Sequence, residues 1–348
     1  MKVLKTVVSG AGRIGWKVHI PEVHAHDGFM LTAVSDPVTD RLAEVKERYG
    51  VNTYTDYYEM IDTEKPDLVV IGSPTNFHME QAICAMEKGI DVFLDKPMAV
   101  DLKQAEKIYE VYKSTGRKLM MYQPLRAEAR MQCLLKIIKS NVIGDIFLIK
   151  SGSNTYVIRD DWQAFEKYGG GMLNNYGAHQ IDSVLYMVDS PIKKINASMF
   201  NITSAGDADD VVKILMHTES NIAVDIEINM AAAINTPGSV VYGKYGTIIY
   251  NQTEIDDGYY TVRYFDPEEY IKHEANESLA AKNRRYITTQ PEKWYEEKHP
   301  VDDSSKINYY DECYKYFALD EKPFVPVTET MEVMRIIDKC RKDAQWNT

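Results

Sequence analysis

The sequence predicts an α/β protein: an N-terminal doubly wound parallel sheet joined to a C-terminal α+β domain with an open, mostly antiparallel sheet. Three observations predict it. A strand-like run, Val3 to Ser9, passes directly into Gly10-Ala11-Gly12-Arg13-Ile14-Gly15 and a helical stretch from Arg13 to about Ala25. Short apolar runs then alternate with helical segments up to about Tyr122, the rhythm of βαβ units. Beyond that point strand-like segments follow one another in series, as in an antiparallel sheet.

The glycines have mechanical roles in this setting. The first permits a tight turn, the second lets backbone approach a pyrophosphate, and the third lets the helix pack close to the strand. Gly10, Gly12, Arg13, Ile14 and Gly15 are therefore expected to cradle phosphates at a helix N-terminus, where free N–H groups and the helix dipole favour negative charge. The second strand, Met30 to Ser35, ends at Asp36, about 20 residues beyond the last glycine, where a carboxylate hydrogen-bonds an adenosine ribose 2′-OH. An acid there repels a 2′-phosphate, so NAD is favoured over NADP, and nearby Arg41 softens that preference. Leu68 to Gly72 is apolar throughout, as a parallel strand buried on both faces should be. Helix His78 to Lys88, strand Asp91 to Leu94, helix Leu102 to Ser114 and strand Lys118 to Tyr122 complete a Rossmann domain over residues 1–123.

Residues 124–348 form the second domain, its last helices free to pack back on the first. Helix Glu128 to Ser140 leads to an alternating strand, Ile146 to Tyr156, and to a helix from Gly169 to Met187. Strands follow at Ile195 to Ile202, Asp210 to His217, Ala223 to Met230, Ser239 to Tyr242, Thr247 to Tyr250 and Tyr259 to Tyr264. Asp266 to Ser304 reads as an irregular, Tyr-rich excursion with a helix near Pro267 to Lys282. Lys306 to Phe317 and Thr328 to Asp343 close the chain as helices.

A chain of 348 residues suits two domains. Its net charge of −12 argues against a general nucleic-acid or membrane-surface binder. No apolar run is long enough to span a bilayer. The four cysteines, Cys84, Cys133, Cys313 and Cys340, lack paired spacing, which points to a reducing cytoplasm and no structural metal.

Three further motifs can carry chemistry. Ser73-Pro74-Thr75-Asn76-Phe77-His78 and Asp95-Lys96-Pro97 each start at the carboxyl end of a strand, where open α/β sheets bind ligands. There Lys96 can reach into a cleft between domains and Asn76 can hydrogen-bond a cofactor. In the third, Gly169-Gly170-Gly171 opens a helix on which Asn175, His179 and Asp182 fall at i, i+4 and i+7, one helical face. That constellation suits proton transfer, imidazole titrating near neutrality. A metal reading lacks a third soft ligand.

Together the glycine loop, the Pro-Thr-Asn-x-His segment, the Lys-Pro pair and the glycine-run helix with its histidine resemble the Gfo/Idh/MocA oxidoreductases over nearly the whole chain. The resemblance implies NAD(P) binding and oxidation or reduction of a sugar, cyclitol or related hydroxyl. It implies Lys96, His179 and Asn175 as catalytic residues. It adds Ser73, Pro74, Asn76, His78, Asp95, Lys96 and Gln123 to the cofactor contacts. It places Lys96, Arg126, Tyr156, Arg159, Trp162, Asn175 and His179 around the substrate, Trp162 being able to stack on a sugar face or simply to pack.

Two departures stand out: Asp95 replaces the family's Glu before the lysine, and Asn175 replaces its Asp four residues before the histidine. Asn cannot take a proton, so His179 is expected as the base, with Lys96 lowering the pKa of the hydroxyl and Asn175 orienting it. Two other readings stay open: a redox-neutral glycoside-modifying enzyme that retains its NAD, and a non-catalytic NAD(H) sensor. The resemblance also implies a homodimer or homotetramer paired through the open sheet.

Overall fold

The computed structural model describes residues 2–188, 190–251, 258–270 and 290–346. Its first sheet has six strands: β1 (Leu4–Ser9), β2 (Phe29–Ser35), β3 (Asn52–Tyr54), β4 (Leu68–Ile71), β5 (Asp91–Asp95) and β6 (Leu119–Tyr122). They run in the order β3-β2-β1-β4-β5-β6, every neighbour parallel. Winding reverses between β1 and β4, which leaves a crevice beyond their carboxyl ends. Helices α1 (Ile20–Ala25), α2 (Thr39–Tyr49), α3 (Tyr57–Glu64), α4 (His78–Glu87) and α5 (Leu102–Thr115) make the crossovers. All four residues of β4 are buried, as its uninterrupted apolar sequence requires.

After α6 (Ala129–Lys139) come β7 (Ile146–Asn154), α7 (Ala178–Met187), β8 (Ile192–Phe200), β9 (Val211–Thr218), β10 (Ala223–Asn229), β11 (Ser239–Gly243), β12 (Gly246–Asn251), β13 (Tyr259–Tyr264) and β14 (Tyr295–Pro300). Helices α8 (Tyr309–Leu319) and α9 (Val327–Asp343) and a short strand, β15 (Gln345–Trp346), complete the chain. Among the described residues the second sheet has nine strands, ordered β14-β13-β12-β11-β7-β10-β9-β8-β15. Only β7–β10 and β8–β15 pair in parallel. On β10 the side chains alternate, Val224, Ile226 and Ile228 facing inward and buried. Helices α7 and α9 pack on one another and against this sheet.

The predicted strands and closing helices are found within a few residues of their expected bounds. The stretch from Asp266 to Ser304 differs, because it contains β14, which pairs with β13 along its whole length. Of the helix expected near Pro267 to Lys282, residues 267–269 form a turn, and 271–282 lie outside the described residues. The tyrosine excess is spent partly on packing. Tyr309, Tyr310, Tyr314 and Tyr316 of α8 are all buried. Tyr309 Oη donates to the Met121 carbonyl at 2.5 Å and accepts from the Gln123 amide at 2.9 Å, which seats α8 on the parallel sheet.

Arg126 is one of the anchors of this seam. It leaves β6 in the short Pro124–Arg126 turn and is only 1% exposed. Its Nε and Nη2 donate to the two oxygens of Asp182 on α7, at 2.8 and 2.6 Å, and its Nη1 donates to Glu329 on α9 at 2.6 Å. The resemblance placed Arg126 at the substrate, but the structure commits all three nitrogens to these carboxylates. Asp182 is equally buried and is likewise taken out of any active-site face. Removing one partner of a buried ion pair strands the other in a low dielectric, so Arg126→Leu should lose about 3–5 kcal/mol of stability. Urea unfolding followed by circular dichroism checks this, with NAD affinity of the still-folded variant expected to stay within a few-fold.

Candidate active site

The glycine loop divides its labour as its spacing predicts. Gly10 has φ +95°, and a Cβ there would come 2.7 Å from the Gly72 carbonyl of the adjoining loop. A Cβ on Gly15 would lie 1.8 Å from the Gly10 carbonyl, so the helix could not pack against the loop. Gly12 is different: a Cβ there would meet nothing closer than Arg41 Nη1 at 4.0 Å. Its open side faces the main cleft, about 1640 Å³ in volume, which Gly10, Arg13 and Ile14 also line. Gly15 opens a π-helical turn, Gly15–His19, that runs on into α1. Asp36 sits at the end of β2, its Oδ2 accepting from the Ala11 amide and its Oδ1 from the Val38 amide, each at 2.9 Å. Arg41 Nη1 approaches it at 3.4 Å. With one Arg41 N–H shared between its two oxygens, the carboxylate keeps room to accept from a ribose hydroxyl. The open space over Gly12, with an acid beside it, fits a dinucleotide.

The Ser73 and Lys96 loops face this crevice from β4 and β5. Ser73, Pro74, Asp95 and Lys96 line the cleft; Asn76, His78 and Gln123 do not. His78 lies beneath it, its ring nitrogens 2.9 Å from the Pro97 and Ser73 carbonyls, and so ties the two loops together. Gln123 is buried, 2% exposed, its amide held by Tyr309. His78 thus supports the cleft from behind, and Gln123 is seated there by its backbone amide.

Lys96 crosses to the second domain. Its Nζ donates to Asn175 Oδ1 at 2.7 Å and to the Asn175 carbonyl at 3.0 Å. Burial pushes the Lys96 amine down to about 8, Asp95 opposing the shift and Arg159 and Arg13 adding to it. Burial also pushes Asp95 up to about 6, against the pull of Lys96. His179 lines the same cleft. Burial holds its pKa well below the usual histidine range, and the Lys96 charge lowers it further, so the ring is neutral at pH 7. Its Nδ1 is buried without a hydrogen-bond partner. The amine and imidazole of the two domains thus meet in one cleft.

The helix carrying Asn175 and His179 begins in a π-helical turn, Leu173–Gly177, ahead of α7. The wider turn breaks the simple i, i+4, i+7 face, and Asp182 turns to Arg126. Asp209 fixes the start of this helix: its Oδ2 accepts from the Leu173 amide at 2.7 Å, and its carbonyl accepts from the Met172 amide at 2.9 Å. Gly171 is required there, because a Cβ would meet Asp209 Oδ1 at 2.2 Å. Trp162 and Arg159 line the cleft. Tyr156 is 58% exposed beside its bridge to Ala231 and stays off the cleft wall.

The resemblance puts Gln163 in the segment bordering the cleft but gives it no individual role; its Oε1 accepts from Asn175 Nδ2 at 3.0 Å and from Arg159. Sequence reasoning missed Gln180, a cleft residue bonded to Ser151 Oγ at 2.6 Å. Nothing local marks Asp209 or Gln180.

Known proteins match this arrangement. Residues 4–123 match the family described as "Oxidoreductase family, NAD-binding Rossmann fold", and residues 131–249 match the GFO/IDH/MocA C-terminal domain. The chain belongs to the GFO/IDH/MocA oxidoreductase family. Among its relatives, a D-glucoside 3-dehydrogenase of Escherichia coli is 29% identical over 57% of this chain and 58% of that protein. A myo-inositol 2-dehydrogenase of Thermotoga maritima is 27% identical over 62% of this chain and 66% of its own length. The chain therefore spans roughly three-fifths to two-thirds of these curated relatives. An NAD-binding protein from Listeria innocua shares the fold across 99% of this chain and 95% of its own, with a TM-score of 0.81 at 22% identity. Among the described residues no helix is long and apolar enough to cross a membrane.

The contrast within the glycine loop is testable. Gly12→Val should leave thermal stability nearly unchanged while lowering NAD affinity at least tenfold by fluorescence titration. Gly15→Val should instead lower the melting temperature, because its Cβ has no room in the folded chain itself.

Proposed function

We propose that this protein is an NAD-dependent dehydrogenase acting on a secondary hydroxyl of a sugar, glycoside or cyclitol. The observation that carries the reading is the Lys96 amine, held by Asn175 across the domain seam beside the neutral ring of His179 in the dinucleotide cleft. The named activities of the Escherichia coli and Thermotoga relatives, on a glucoside and an inositol, support the substrate class. Gly10, Gly12, Arg13, Ile14 and Asp36 would hold the dinucleotide, with Ser73 and Pro74 lining its path. Bound NAD would supply hydride acceptance from the carbinol carbon, or its delivery in reverse.

The chain's own task is the proton. In oxidation, the free amine of Lys96 takes the hydroxyl proton at Nζ as the C–O bond becomes a carbonyl. In reduction, the ammonium returns that proton to the forming alkoxide. An amine with a pKa near 8 serves both directions close to neutral pH. Our sequence-based expectation gave the base role to His179. An imidazole that must become cationic beside an ammonium is the weaker acceptor, so here His179 positions the substrate oxygen as a neutral hydrogen-bond partner. Trp162 offers the cleft a ring for the apolar face of a sugar.

Incubating the protein with NAD and a panel of sugars, glycosides and inositols, and following nicotinamide absorbance, tests the reading; no response from any substrate sinks it. Oxidation should follow the free amine, with kcat/KM rising with pH and levelling above about 8, while reduction should decline over the same range. Lys96→Met should cut turnover by about 10²–10⁴-fold with NAD binding retained.

The preference for NAD over NADP rests on Asp36, whose charge would meet a 2′-phosphate. Asp36→Ser should narrow the ratio of NADP to NAD dissociation constants by at least tenfold, with Arg41 then free to meet the phosphate.

A further inference from the structure

The Lys96 ammonium and the Arg159 guanidinium are both donors with no acceptor to offer. Between them lie two side-chain amides in series, Asn175 and Gln163. Lys96 Nζ donates to Asn175 Oδ1 at 2.7 Å, and Asn175 Nδ2 donates to Gln163 Oε1 at 3.0 Å. Arg159 Nη2 donates to the same Gln163 Oε1 and also to Asp161 Oδ2 at 2.6 Å. The polarity of this chain is forced from both ends. If Asn175 flipped, its Nδ2 would face the Lys96 ammonium and its Oδ1 would face the Gln163 oxygen. If Gln163 flipped, its Nε2 would face two donors.

We propose that Gln163 is a positioning residue: its Oε1, anchored by Arg159, fixes the Asn175 amide so that Oδ1, and not Nδ2, is presented to Lys96 Nζ. The residue is held in place for this task. Residues 162–164 form a short 3₁₀ turn capped by Asp161, whose carboxylate accepts from the Gln163 amide at 3.1 Å. The Gln163 carbonyl accepts from the Gly171 amide at 2.9 Å, and a Cβ on Gly170 would meet that carbonyl at 2.3 Å. The triple glycine therefore brings the Gln163 backbone directly against the start of the helix that carries Asn175.

The arrangement gives Asn175 a role different from orienting a substrate hydroxyl, since both ends of its amide are engaged. It also accounts for an amide at this position. An aspartate at 175 would set an acceptor against Gln163 Oε1, and turning Gln163 around would set Nε2 against Arg159. Residue 175 and residue 163 are matched, so the neutral acceptor that Lys96 meets is a property of the pair. The charged and titratable groups facing Lys96 are Asp95 and His78 from the parallel domain, Arg13 on the glycine-loop helix, Arg159 before the π turn, and His179 on α7.

The inference rests on the reading of Lys96 as the titrating group but is tested without turnover. Acetic anhydride labelling of the ligand-free protein, quantified on the Lys96 peptide by mass spectrometry across a pH series, reports the amine's titration, with exposed lysines as internal references. Gln163→Leu frees the Asn175 amide and weakens the acceptor for the ammonium, so the Lys96 titration should move down by about one pH unit. Gln163→Glu keeps an acceptor towards both Asn175 and Arg159 and adds a negative charge, so it should move the titration upward. In an Asn175→Ala background, Gln163→Leu should add no further shift. Gln163→Met serves where the leucine variant does not fold. An unmoved titration in the leucine or methionine variant overturns the proposal. So does a shift of the same sign in the leucine and glutamate variants, or one that persists without Asn175. An enzyme inactive on every alcohol but showing the shifts would lose the proposed function and keep this inference; the converse result would do the opposite.

Discussion

The site depends on one constraint: a lysine ammonium taken out of water must find oxygen atoms. Lys96 is carried on a rigid strand end of the parallel domain, and the two oxygens that satisfy it both belong to Asn175 of the other domain. Neither domain alone completes this contact. Desolvation disfavours the charged amine, and the neighbouring Asp95 carboxylate partly restores it. The compromise leaves Lys96 near 8, a value at which a small change in surroundings tips it between donor and acceptor. An exposed lysine near its ordinary value would stay charged at neutral pH and could only donate.

That contact has to be held to a fraction of an ångström, and several buried features hold it. Arg126 ties the exit of β6 to α7 and α9, fixing the helix that bears Asn175 and His179 against the parallel sheet. Asp209 pins the first turn of the same helix from a distant loop. Gly169, in the left-handed region at φ +77°, lets the chain pass within contact of Thr75 on the Ser73 loop. Both helices that meet at the cleft begin with a π-helical turn, at Gly15–His19 and Leu173–Gly177. Such turns insert one residue and re-aim the side chains beyond it. Asn175 lies within the second and His179 just past it.

These devices explain what could be read from the chain and what could not. The glycine loop, β4 and Asp36 were legible because local sterics and burial dictate their residue types: glycine where a Cβ has no room, apolar residues on a strand covered on both faces. Lys96, Asn175 and His179 were legible as a set because each sits at a strand end or helix start marked by proline or glycine. Arg126 was misplaced because an arginine four residues past a strand looks the same whether it meets a ligand or a buried carboxylate. Its partners Asp182 and Glu329 lie 56 and 203 residues further on. The i, i+7 relation of Asn175 and Asp182 failed because the π turn has no sequence signature of its own. Strand β14 was hidden because only two of its six residues are even partly buried, so the periodicity that marks a half-buried strand is absent.

The departure at residue 175 becomes intelligible in terms of charge. The protein as a whole carries −12, yet Lys96 is flanked by Arg13 and Arg159, with Asp95 as the nearest opposing charge. A carboxylate at 175 would add a second anion directly on Nζ and favour the ammonium, raising the pH at which the amine becomes free. A neutral amide oxygen satisfies the buried donor without that stabilisation. The same local excess of positive charge favours a pyrophosphate at the glycine loop and, on the proposed function, would favour an alkoxide at the reacting carbon. On the proposed function, binding and proton transfer would therefore make the same demand on the site: fixed cations around an amine whose acceptor is a dipole and not a charge.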